Sequence, residues 1–168
     1  MKIIEQDINN VVNGFNSEML SGKTVFVTGG TGLIGKTMVP VLQSLGAKVI
    51  LLVRSEEKSR TLFGDTCTYY IGAVEAIPVV DDQIDYTIHM ASPTSSSFFI
   101  NNPVETMQTA IQGTKNILEL AKQKKLRDLF ISRQWKYMGI RRRDMPSKNK
   151  RFLDLTLGFQ EIAIRCLN

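Results

Sequence analysis

The sequence predicts an α/β fold with a doubly wound parallel sheet, on three observations. Short continuous runs of β-branched, aliphatic and aromatic residues recur, as in Thr24-Val25-Phe26-Val27 and Lys48-Val49-Ile50-Leu51-Leu52-Val53, and such runs suit strands buried on both faces. Segments with helical spacing alternate with them, the pattern of βαβ units. A glycine-rich turn, Thr28-Gly29-Gly30-Thr31-Gly32-Leu33-Ile34-Gly35, joins the first strand to the first helix. Together these features predict an incomplete Rossmann-type sheet of about five strands in the order 3-2-1-4-5, preceded by an N-terminal helix.

The elements follow in order. Ile3, Ile4, Ile8, Val11, Val12, Phe15 and Leu20 recur at roughly helical spacing, which predicts an amphipathic helix within residues 1–22. Thr24 to Val27 is the first strand. A helix from about Leu33 to Leu45 ends at Gly46, and Lys48 to Val53 is the second strand. Glu56 to Phe63 reads as a short helix and Cys67 to Ile71 as a third strand. The stretch from Gly72 to Gln83 carries no period. Asp85 to Met90 is a fourth strand, ending in the polar loop 91–97. Asn101-Asn102-Pro103 opens a long helix, since proline suits a first turn. Val104, Met107, Ile111, Thr114, Ile117, Leu118 and Ala121 make its expected buried stripe. Leu129 to Ser132 is the fifth strand. The dinucleotide-type domain thus spans 23–132. Periodicity fades beyond it, and only Phe152 to Leu167 shows apolar spacing, read as a weak helix.

The turn carries the chemistry. Gly29, Gly32 and Gly35 are spaced GxxGxxG, and Gly30, Gly32 and Gly35 also satisfy GxGxxG. One glycine permits the sharp turn, a second admits a pyrophosphate close to the backbone, and a third lets the helix sit near the sheet. The helix N-terminus offers free N–H groups to phosphates. The turn lies between a buried strand and a helix, the context that gives such a pattern meaning. Gly29, Thr31, Gly32, Leu33, Ile34 and Gly35 are therefore the first candidate cofactor contacts. Arg54 follows the second strand, about 20 residues beyond the turn, where an acidic residue would bond a ribose 2′-hydroxyl and an arginine accepts a 2′-phosphate. It leans the cofactor towards NADP and leaves NAD open, since Glu56 or Glu57 is near enough to reach the ribose.

Composition narrows the classes. The chain has 168 residues, 43% of them hydrophobic and 22% charged, which is the balance of a globular domain. No apolar run has membrane-spanning length, and the N-terminus has no apolar signal core, so a cytoplasmic protein is expected. Two cysteines and one histidine argue against a disulfide framework or a metal cluster. The net charge of +5 hints at nucleic acid, but residues 1–132 hold twelve basic and thirteen acidic side chains. Residues 133–168 hold nine basic and three acidic ones, so the excess belongs to that tail. The tail offers Arg141 to Arg151 but little aromatic platform beyond Trp135 and Tyr137, which argues against a nucleic-acid reader.

Three segments occur in order: the turn at 28–35, His89-Met90-Ala91-Ser92, and Gly113-Thr114-Lys115-Asn116-Ile117-Leu118-Glu119-Leu120-Ala121. Together, over about residues 1–132, they resemble the extended short-chain dehydrogenase/reductase family, and within it the NAD-dependent epimerase/dehydratases acting on nucleotide sugars. The resemblance implies that Met90, Ala91 and Ser92 line the cofactor, with Ser132 at the end of the fifth strand. His89 holds the family's usual histidine position, where a structural hydrogen bond is its expected role. Ala73 and Ala110 stand where the family often has Asp and Asn.

Family chemistry uses a Tyr-x-x-x-Lys pair after the fifth strand, and this chain has none. Tyr137 is followed four residues later by Arg141, which cannot relay a proton as lysine does. No catalytic residue is therefore assigned. Residues Arg133 to Ile140 can be encoded AGA CAA TGG AAG TAT ATG GGC ATA. Read from the last base of CAA, these codons give Met-Glu-Val-Tyr-Gly-His, restoring the family's Val-Tyr-Gly. The same shift over Glu161 to Asn168 permits Asn-Ser-Tyr-Pro-Met-Ser-Lys, a Tyr-x-x-x-Lys. The tail 133–168 is accordingly expected to be translated out of frame. The expected function is a dinucleotide-binding fragment of a nucleotide-sugar epimerase/dehydratase without catalytic activity. The alternative is a non-catalytic NAD(P)-binding regulatory or interaction module.

Overall fold

The computed structural model describes residues 20–93, 95–132 and 161–165, with Ile8, Val12 and Gly14 as isolated helical positions. The remainder of the expected N-terminal helix lies outside the described residues.

At the sheet's centre β1 (Thr24–Thr28) pairs in parallel with β2 (Lys48–Val53) and with β4 (Tyr86–His89). β3 (Thr68–Ile71) adds beside β2, and β5 (Asp128–Ser132) beside β4, both parallel. The five parallel strands therefore lie in the order 3-2-1-4-5, as the alternation of elements predicts. The helices are α1 (Gly35–Ser44), α2 (Glu56–Phe63), α3 (Ser96–Asn101) and α4 (Pro103–Lys124).

The strand pattern explains the two layers. Successive β1 side chains point to opposite faces. Val25 and Val27 join Val39, Leu42 and Leu51 under α1. Phe26 joins Ile50, Leu52, Ile117, Leu120 and Leu129 under α4. Both faces of β1 are thus dry, which is why its sequence is a continuous apolar run rather than an alternating one. At the amino ends of the strands, Asp85 accepts the Thr24 N–H at 3.0 Å and pairs with Lys23 and Arg127.

Three details differ from the sequence reading. Part of the expected polar loop forms α3, which Ser95 caps by accepting the Phe98 N–H. The expected stripe of α4 is only partly buried: Ile117 and Ala121 are covered, but Val104, Met107, Ile111 and Leu118 are exposed. The helix has 22 residues, about 33 Å, and its covered residues begin at Gly113. They run along a Gly113-Ile117-Leu120-Ala121 face. Finally, residues 161–165 form a strand, β6 (Glu161–Arg165), antiparallel to β5, where apolar spacing had suggested helix. The outer edge of β5 offers unpaired backbone groups to any extended segment, and that demand outweighs weak helical spacing.

Candidate functional site

β1 leads into β2 and β3 on one side, and β4 leads into β5 on the other. The carboxyl ends of β1 and β4 therefore flank a crevice at the point where the winding reverses, the usual ligand position in such sheets. The glycine turn and the β4 loop are its two walls.

The turn fits its sequence residue by residue. Gly29 has φ +75°, and a Cβ there would lie 2.7 Å from Ala91 N and Met90 C. The Gly32 N–H closes the turn onto Gly29 O at 3.0 Å. A Cβ on Gly35 would run into the Gly30 backbone, so α1 can begin this close to the turn only with glycine there. α1 has no side-chain cap and no acidic residue in its first turn. Among the described residues, the N–H groups of Leu33, Ile34 and Gly35 find no acceptor. Thr31, Gly32, Leu33 and Ile34 are exposed, Leu33 at 91%.

The β4 wall is fastened to the turn through Thr28. Met90 N–H donates to Thr28 O at 3.0 Å, and Ala91 N–H donates to Thr28 Oγ1 at 3.2 Å. Thr28 Oγ1 lies 2.6 Å from His89 Nδ1. Both side chains are buried, and burial pushes the His89 imidazole down to about 4, so it is neutral near pH 7. His89 thus makes the structural hydrogen bond expected of it. The Thr28 hydroxyl was not singled out from sequence. Its partner is fixed by the register of β1 against β4, which pairs Thr28 with His89.

The other expected residues lie at or just beyond the carboxyl ends of β2, β4 and β5. Ser92 is exposed and its hydroxyl donates to Pro93 O at 3.3 Å. Arg54 is exposed directly after β2, and Ser132 ends β5 half-buried. Glu56, one of the two carboxylates expected from sequence to be candidates for the ribose, accepts Arg60 Nε at 2.8 Å. The 113–121 segment is explained by packing. Asn116 Nδ2 donates to Val74 O and Glu75 O, each at 2.8 Å, fastening α4 to the chain that follows β3.

No described tyrosine has a lysine four residues on: Tyr69, Tyr70 and Tyr86 are followed at that spacing by Ala73, Val74 and Met90. The Tyr69 and Tyr70 hydroxyls donate to Gly64 O and Asp82, away from the crevice. Tyr137 lies outside the described residues. Among the described residues no group of three His, Cys, Asp or Glu side chains could hold a metal ion, and no helix is long and apolar enough to cross a membrane.

The model of the NAD dependent epimerase/dehydratase family matches residues 25–134. The chain is 34% identical over 110 residues to a UDP-N-acetylglucosamine 4,6-dehydratase (inverting) of Campylobacter jejuni, covering 60% of this chain and 33% of that one. It is 35% identical over 114 residues to UDP-glucuronic acid decarboxylase 1 of Arabidopsis thaliana, covering 64% and 26%. In fold it is similar to the Bordetella bronchiseptica enzyme WbmF, solved with NAD+ and UDP, with a TM-score of 0.57. That likeness has 22% identity and covers 66% of this chain and 35% of that one. The chain spans a quarter to a third of the length of these two curated relatives.

Proposed function

This chain belongs to the NAD-dependent epimerase/dehydratase family, and from that premise we propose that it binds a dinucleotide, NAD or NADP, and does not itself turn over a nucleotide sugar. One observation carries the proposal. The turn at 29–35 presents N–H groups of Leu33, Ile34 and Gly35 without an acceptor among the described residues, at an uncapped helix start beside the crevice between β1 and β4. A pyrophosphate needs free N–H donors that glycines let it approach, and the glycines at 29, 32 and 35 beside these N–H groups support the reading.

Gly29, Thr31, Gly32, Leu33, Ile34 and Gly35 would hold the pyrophosphate. Met90, Ala91 and Ser92 would line the nicotinamide side, with Ser132 beyond them, and exposed Arg54 would meet the adenosine ribose. Arg54 favours NADP, since an arginine at this position accepts a 2′-phosphate; Glu56 is engaged by Arg60, and Glu57 leaves NAD open. A bound dinucleotide supplies a hydride acceptor or donor. Acting on a sugar hydroxyl also needs a proton acceptor, and no Tyr-x-x-x-Lys pair exists in this sequence to provide one. An intact relative with that pair would take a nucleotide sugar as substrate.

The tail 133–168 is, on this proposal, read out of frame from about codon 133. The family match ending at residue 134 supports that, as does the concentration of basic charge beyond it. Sequencing the coding DNA tests it: a single-base shift should restore Val-Tyr-Gly and Tyr-x-x-x-Lys, and codons that restore neither refute it. Titration calorimetry with NAD+ and NADP+ tests the binding, with saturable one-site binding expected. No binding of either refutes it, and turnover of a UDP-sugar refutes the missing chemistry.

A further inference from the structure

Two polar side chains occupy sheet positions that the pattern reserves for apolar ones. Thr28 shares its face of β1 with Phe26, and His89 shares its face of β4 with Thr87. They are 0% and 4% exposed. A pair such as Val and Leu would fill this space without desolvating a hydroxyl and an imidazole. The polar pair does something an apolar one could not: it supplies an acceptor for the Ala91 N–H, in the wall of the crevice.

We propose that Thr28 and His89 are positioning residues for the dinucleotide site, joined in a hydrogen-bond chain from Ala91 N–H through Thr28 Oγ1 to His89 Nδ1 that fixes the β4 loop against the glycine turn. The proposal rests on the dinucleotide reading above. A threonine hydroxyl has one proton and two lone pairs. Thr28 Oγ1 accepts from Ala91, and among the described residues Nδ1, 2.6 Å away, is the one acceptor on hand for the hydroxyl's own proton, which the proposal places there. The imidazole is then the Nε2–H tautomer. Burial keeps it neutral near pH 7 and so able to accept. The β-branch of threonine restricts its rotamers and helps hold the hydroxyl on this line.

The coupling to the turn is steric. The peptide between Met90 and Ala91 is the group that abuts Gly29, with Met90 O 2.9 Å from where a Gly29 Cβ would lie. With Oγ1 as acceptor, that peptide has one orientation. Without it the Ala91 N–H, half-buried, must find another partner, and any rotation pushes the carbonyl against the turn or away from the crevice.

His89 is the chain's only histidine, so its nitrogen resonances are unambiguous. Nitrogen NMR of the wild type should show Nδ1 unprotonated and hydrogen-bonded at pH 7; an Nδ1–H tautomer overturns the chain of bonds. Thr28→Ser keeps the hydroxyl and Thr28→Val removes it. In Thr28→Ser, the tautomer, slow amide exchange at Ala91 and dinucleotide affinity should stay within about twofold of wild type. In Thr28→Val, Ala91 exchange should accelerate at least about tenfold more than Val27 exchange, with dinucleotide binding about tenfold weaker. A merely structural threonine would change Ala91 and Val27 exchange together, and that result overturns the proposal, as does wild-type affinity in Thr28→Val. If Thr28→Val does not fold, Thr28→Ala, which also removes the acceptor, is read in the same way. Absence of dinucleotide binding by the wild type overturns the functional reading instead, a failure recognisable because the tautomer and exchange measurements need no ligand.

Discussion

Gly29 and Ala91 back onto each other across the crevice, with 2.7 Å between the place of a Gly29 Cβ and the Ala91 nitrogen. No neighbour can yield, because all three nearest atoms, Ala91 N, Met90 C and Met90 O, are backbone. Gly29→Ala should therefore destabilise the chain by about 2–4 kcal/mol, the left-handed conformation and the clash acting together. Gly22→Ala is the control: φ is +69° but nothing lies within 4 Å, so only about 1–2 kcal/mol is expected. Urea denaturation of both variants measures the difference, and equal losses would show that the close approach carries no cost.

Thr87 Oγ1 is a buried hydroxyl without a partner among the described residues. It shares its face of β4 with His89, above the apolar cluster that includes Phe26 and Leu129. Thr87→Val keeps the shape and removes the unpaired group, so stability should rise by about 1–2 kcal/mol. A loss of stability in thermal or urea unfolding would mean that the hydroxyl has a partner.

The lowered His89 value sets a pH signature. The folded imidazole takes its proton only near pH 4, whereas the unfolded one takes it near 6.5. As pH falls from 6.5 to 4 the unfolded state binds the extra proton, so stability is lost through that window, by about 3 kcal/mol in all. Above pH 6.5 the contribution is constant. The carboxylates titrate in the same range, so the measurement is the difference between wild type and His89→Asn. Parallel stability curves for the two would contradict a buried, neutral His89.

Arg54 is exposed at the end of β2, and Glu56 beside it is held by Arg60. If the arginine receives a 2′-phosphate, Arg54→Ala should weaken NADP+ binding about tenfold and leave NAD+ within about twofold. Calorimetry of both cofactors on both proteins decides it. Equal effects on the two would place Arg54 away from the 2′ position.

How much the sequence discloses depends on how local the determining interaction is. β2 and α2 take the bounds read for them, because a continuous apolar run and a Ser55 cap are signals within a few residues. The glycine turn is legible for the same reason. The face of α4 is not, since which of its residues are covered depends on how a 22-residue helix lies over the sheet. Thr28 bonds to His89, 61 residues away, and only strand register brings them together. β6 was read as helix because nothing in its own residues announces that an open edge of β5 will recruit it.

That edge gives the last prediction. β6 pairs along all five residues of β5, from Asp128 opposite Arg165 to Ser132 opposite Glu161. The pairing is made by backbone groups, so it is tolerant of the sequence that supplies it. Deleting residues 160–168 removes the strand paired to β5 and leaves its edge open, a template for another chain. The shortened chain should associate in a concentration-dependent way, by light scattering, under conditions where the full chain does not. Circular dichroism should show the parallel sheet retained, since β3 to β5 keep their own pairings. A shortened chain that remains monomeric would mean that the β5 edge is protected by something other than β6.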